Sequence, residues 1–101
     1  MATVSKTLFR GAATTTTTTT LYTVPASTTT VVTNIIVANT AATAGTFTLR
    51  LNGVVFANTV TIGANDSAIL DIKQVLNAGQ ILAGGASATS INFHVGGVEI
   101  S

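Results

Sequence analysis

Three features of the sequence predict an all-β chain folded as a single β-sandwich of Greek-key or jelly-roll type, with seven to eight short antiparallel strands. β-Branched residues dominate, with 21 threonines and frequent valine and isoleucine. Such side chains are stiff at χ1 and fit a pleated surface. Turn signals arrive at roughly 8- to 12-residue intervals, the spacing of sandwiches and barrels. No long apolar stripe at helical spacing is present, and good helix formers other than alanine are scarce.

Taken in chain order, residues 1–19 read as an extended N-terminal arm and residues 20–101 as the sandwich domain. Within the arm, residues 7–10 suit a short strand. The seven threonines 14–20 show no apolar/polar alternation, so they specify no register and read as a linker. Fully stretched, the arm could span on the order of 65 Å. Residues 20–24 form a strand ended by Pro25, which has no amide to donate. Residues 29–39 make the longest strand, with Val31, Thr33, Ile35 and Val37 on one face and Val32, Asn34, Ile36 and Ala38 on the other. Both faces are largely apolar, which suits a central position or a face covered by another chain.

Residues 46–51 alternate cleanly, with Phe47, Leu49 and Leu51 inward. Asn52-Gly53 then marks a hairpin, because both residues tolerate positive φ in a type I′ turn. Short strands follow at 54–56, 59–62 and 67–73, the last after a turn at 63–66. Residues 74–79 read as a helical turn or loop, 80–83 as a strand and 84–88 as a flexible link. Residues 89–95 close the domain with Ile91, Phe93 and Val95 inward and Asn92 and His94 outward. Gly96-Gly97 permits a bulge, after which residues 98–101 extend the ladder.

Composition narrows the function. Charged residues make up 7% of the 101-residue chain and the net charge is +1, against roughly 25% charged in an average soluble domain. Lys6, Arg10, Arg50 and Lys73 are scattered rather than clustered, so neither nucleic-acid binding by phosphate neutralisation nor a polybasic membrane anchor is expected. The first residues lack the apolar core of a secretory signal, and no run of about 18 apolar residues suggests a membrane-spanning helix. The absence of cysteine excludes disulfides, thiolate metal sites and cysteine nucleophiles. No catalytic, cofactor or metal site is expected.

Individual residues add little chemistry. His94 reads as a surface residue, and an enzyme would need a pocket joining it to an acid. Asp66 belongs to a turn too short for a calcium loop. Asp71 and Lys73 read as a solvated pair. What stands out is the surface: with so few charges, outward strand positions fall to threonine, asparagine, serine and alanine. Such a surface opposes association weakly and suits packing against identical neighbours.

Residues 20–26 (Leu-Tyr-Thr-Val-Pro-Ala after Thr20), 31–40 (Val-Val-Thr-Asn-Ile-Ile-Val-Ala-Asn-Thr) and the hairpin at 46–53 (Thr46 and Thr48 leading into Leu-Arg-Leu-Asn-Gly) resemble a group of small virion proteins of tailed bacteriophages. The lead-in at 6–11, the turn at 64–67 and the segment 77–81 fit the same pattern. The resemblance implies a capsid decoration (cement) protein that coats the phage head as a homo-oligomer, often a trimer, and stabilises it. Its partners would be itself and the major capsid protein, and its place the capsid exterior after synthesis in the bacterial cytoplasm. The alternative is a minor tail or fibre component acting in host attachment. Glycan recognition usually wants an aromatic platform, and this chain has no Trp and mostly inward Phe residues. On this reading Lys6, Leu8, Phe9 and Arg10 of the arm contact the capsid, and Tyr22, Val32, Ile36 and Arg50 are candidates for the oligomer interface.

Overall fold

The computed structural model describes residues 3–101. Eight strands follow in order: β1 (Thr3–Ala12), β2 (Thr20–Thr23), β3 (Thr29–Asn39), β4 (Gly45–Leu51), β5 (Val54–Ile62), β6 (Ser67–Leu76), β7 (Ile81–Ala86) and β8 (Ile91–Ile100). They build two four-stranded sheets, ordered β1-β8-β3-β6 and β2-β7-β4-β5, with antiparallel pairing throughout. The pairs β1·β8, β2·β7, β3·β6 and β4·β5 trace one long hairpin that is rolled up on itself, the jelly-roll arrangement. Its tip is Asn52-Gly53, with φ of 49° and 83°, as a type I′ turn requires.

Alternation along the strands fills the space between the sheets. Ile35 and Val37 of β3, Phe47 and Leu49 of β4, Leu82 of β7 and Ile91, Phe93 and Val95 of β8 are buried there. Phe47 and Phe93 meet edge to face at 6.3 Å and 75° across the core, a geometry that aromatic quadrupoles favour. The two expected short strands at 54–56 and 59–62 are one strand, β5, interrupted by a bulge. Thr59 there has φ 48°, and its N–H donates to Thr48 Oγ1 at 3.1 Å. Residues 74–76 continue β6, with no helical turn.

The N-terminal segment departs from expectation. It is no free arm: β1 is a ten-residue edge strand paired along β8 from Thr3↔Ile100 to Ala12↔Asn92. Leu8 faces inward and is 8% exposed. The threonine run is folded too. Ala86 N–H donates to Thr14 O and Gly84 N–H to Thr19 O, both at 2.9 Å, so the run rejoins the β7 ladder at both ends. Between them the Thr14 and Thr19 hydroxyls share a 2.6 Å hydrogen bond, one donating to the other, and the hydroxyl whose proton stays free donates to Thr16 O, which lies 3.1 and 3.0 Å from the two. Thr16 O lies so close over Gly85 that a Cβ there would collide with it. Gly84-Gly85 is therefore no flexible link but the buried middle of β7.

The longest strand differs from simple alternation in one respect. Val32 pairs with Gly97 and Asn34 with Gly96, leaving Thr33 as an extra residue in β3. That bulge reverses the phase, so Val32 joins Ile35 and Val37 in the core, while Val31 and Ile36 face out. Because β1 covers β8 and supplies Leu8 to the core, removal of residues 1–19 is expected to abolish the cooperative thermal transition seen by circular dichroism. A truncated chain with a native-like transition would show the strand to be dispensable.

Candidate functional site

Two places gather polar side chains. The first is a cluster between the sheets at one end of the sandwich. Alternation on β8 carries Glu99 inward, in phase with Phe93 and Val95, and Thr30 stands opposite it on β3. Tyr22, from the other sheet, reaches across and donates its hydroxyl proton to Glu99 Oε2. Thr30 Oγ1 lies 2.9 Å from the same phenol oxygen; with the Tyr22 proton already committed, Thr30 is the donor. Lys6 of β1 closes the group, its Nζ 3.3 Å from Glu99 Oε1 and 3.4 Å from Oε2. The Glu99 side chain is only 15% exposed, and these donors compensate its lost hydration.

The cluster perturbs both acids. The Tyr22 hydrogen bond, helped by Lys6, holds the Glu99 carboxyl below its ordinary value, outweighing partial burial. Burial first, and then the bond to the Glu99 carboxylate, pushes the Tyr22 phenol above 10.0, with Thr30 acting in the opposite sense.

The second place is a shallow pocket of about 120 Å³ on the outer face of β1-β8-β3-β6, lined by Thr7, Arg10, Asn34, Ile36, His94, Val95 and Gly96. Its origin is the missing side chain of Gly96. Thr7 and Asn34 are the direct neighbours of Gly96 on either side, while Arg10 and Ile36 flank His94 one step along. A Cβ on Gly96 would come within 2.7 Å of Asn34 Oδ1, so the carboxamide leans over the dent. Bulges at Leu8 and Thr33 border it on both sides, and bulges commonly re-aim side chains in this way. The lining holds a cation, an imidazole, an amide and a hydroxyl but no carboxylate. His94 therefore has no acid beside it there to act with it as a base pair.

The residues expected at interfaces separate into three groups. Lys6 is ion-paired to Glu99, and Arg10 borders the pocket with no salt bridge among the described residues. Leu8 belongs to the core and Phe9 packs against it half-buried, so neither is a free anchor, because β1 inserts between core and solvent rather than hanging loose. Val32 is fully buried, and the Thr33 bulge that turned it inward withdraws it as an interface residue. Tyr22 is half-buried and committed to Glu99 and Thr30. Arg50 is half-buried, with Nε donating to Thr17 O at 3.4 Å, and so pins the threonine turn. Ile36 alone of the four lies on an open sheet face, beside the pocket. Sequence reading missed Glu99, Thr7 and Asn34. The alternation of β8, carried two residues past Val95 and again to 99, signals Glu99; nothing local signals the other two, which are joined only by cross-strand register.

No protein-family model matches the chain, and no curated protein matches it. Among the described residues no group of three or more His, Asp or Glu is placed to hold a metal ion, and no helix is long and apolar enough to cross a membrane.

The paired shifts give stability a definite pH profile. A lowered carboxyl pKa stabilises the fold above the unfolded value of about 4.3 and loses that contribution as pH falls through the folded value. A raised phenol pKa stabilises below the unfolded value of about 10 and loses that contribution as pH rises toward the folded value. The melting temperature is expected to fall at both limits. Tyr22→Phe should abolish the phenol's part of the alkaline fall and shrink the acid one, since it removes the main cause of the Glu99 shift. An unchanged pH profile in that variant would assign both limbs to other groups.

Proposed function

We propose that this protein is a structural component of a bacteriophage particle, a capsid decoration protein that coats the assembled head as a homo-oligomer. The observation that carries the reading is the outer face of β1-β8-β3-β6. In a small domain it leaves Ile69 71% and Val75 56% exposed, and its few charged side chains lie on the two edge strands. Large apolar side chains left open on a sheet face favour a protein that works in contact with others. The phage resemblance of the sequence points the same way, and jelly rolls are common in viral coats, which is a likeness of fold only.

The folded N-terminus changes how attachment is drawn. Leu8 and Phe9 are engaged in the sandwich, so the shell contact moves to a body surface. The exposed side chains Val54, Phe56 and Val60 of β5, a free edge of the second sheet, are the surface assigned to it. Several copies on one shell would act multivalently, so each contact can be weak.

The experiment is immunogold labelling of purified virions with antibodies raised against the folded protein. Label distributed over the heads is expected. Label confined to the tail would give the protein to the attachment apparatus, and particles without label would remove it from the virion.

A further inference from the structure

We propose that two copies of this chain pair face to face through the outer surface of β1-β8-β3-β6, about a twofold axis parallel to the strands, with the Asp71 carboxylate of each copy seated beside Arg10 and Thr7 of the other. The inference deepens the homo-oligomer part of the proposed function and names its contact.

Cross-strand register sets the pattern of this face. Two neighbouring outward rows cross the sheet from β1 to β6: Arg10, His94, Ile36, Ile69, and then Thr7, Gly96, Asn34, Asp71. The face is therefore cationic at its β1 edge and carries a carboxylate at its β6 edge, with isoleucine, amide and glycine between. Arg10 has no ion-pair partner among the described residues. Asp71 has only Lys73, 3.5 Å away, with both side chains about three-quarters exposed. A pair so solvated contributes little and is easily exchanged.

Turning a second copy over this face about an axis along the strands keeps each row level and reverses the strand order. β6 of one copy then covers β1 of the other, and β3 covers β8. Asp71 comes to face Thr7, one ladder step from Arg10, whose long side chain spans that step. Asn34 comes to face Gly96, where the absent side chain leaves room for close approach. Ile36 lands on His94, and Val31 on Val98, the residue with which it is already paired within its own sheet. Every contact occurs twice, as a twofold interface requires, and the separation of about 10 Å suits stacked sheets. Lys73 falls opposite the stretch of β1 between Thr7 and Ser5, whose outward side chains are hydroxyls. An axis across the strands would instead set β1 on β1 and β6 on β6, holding each Arg10 at the edge away from the other copy's Asp71, so the charge pattern selects the first arrangement.

The test is sedimentation equilibrium of the full chain. The wild type is expected to dimerise, and Arg10→Asp to weaken the dimer roughly 100-fold or more, since each like-charge juxtaposition is costly. Joining Arg10→Asp with Asp71→Arg should restore the dimer. Ile69→Lys, at an exposed position in the same row as Arg10, sets a second cation over Arg10 of the other copy and provides a second disruption, and thermal unfolding of each variant confirms that the monomer fold survives. A wild type that stays monomeric at millimolar concentration overturns the pairing. So does a dimer or trimer indifferent to Arg10→Asp, or a charge swap that restores nothing. Because solution pairing needs no virion, its failure and the failure of the head assignment are read separately.

Discussion

The close approach of three strands at Gly96-Gly97 is the constraint on which most of this molecule depends. A Cβ on Gly97 would sit 2.5 Å from Val31 O on one neighbouring strand and 2.8 Å from Leu8 Cδ1 on the other. Only glycine allows β1 and β3 to close on β8 there. The flanking strands answer with one extra residue each, Leu8 and Thr33. Those bulges decide which side chains go in and which go out: Leu8 and Val32 become core, and Ile36 becomes surface. The outer dent at Gly96 has the same cause. Core phase, surface pattern and pocket thus follow from two side chains that are missing.

A chain with four cations and three acids uses Lys6, Glu99, Arg50 and Asp66 to hold its own fold. Lys6 and Glu99 brace the end of the sandwich together with Tyr22. Arg50 holds the threonine turn over β7. Asp66 Oδ1 accepts the Ser67 N–H at 2.8 Å and shapes the turn into β6. Arg10 and the exposed Asp71–Lys73 pair are what remain for a partner, and they stand at opposite edges of one sheet. Scarcity of charge makes that arrangement more legible, because a surface dense in lysine and glutamate would bury the same complementarity among many alternatives.

Much of the fold could be read from local chemistry. Asn52-Gly53 declared its hairpin, and the alternation of Phe47, Leu49 and Leu51 set the inward face of β4. Ile91, Phe93 and Val95 did the same for β8. Residues 14–20 were illegible for a physical reason: identical side chains carry no phase, so only the neighbours, Gly85 beneath and Arg50 beside, determine where they lie. The candidate site was less legible still. Of the pocket lining, Arg10, Ile36 and His94 were visible as outward or charged residues, but their meeting with Thr7 and Asn34 belongs to register between strands far apart in sequence.

Sequence alone determined that this chain is a β-sandwich with a nearly uncharged surface, since strand propensity, turn chemistry and composition act locally and additively. Tertiary structure decided that the N-terminus is an edge strand rather than an arm, and that Val32 is core and Ile36 surface. It also decided which polar groups meet. Those outcomes turn on bulges and on unoccupied space at glycine, and both exist only once one strand lies against another.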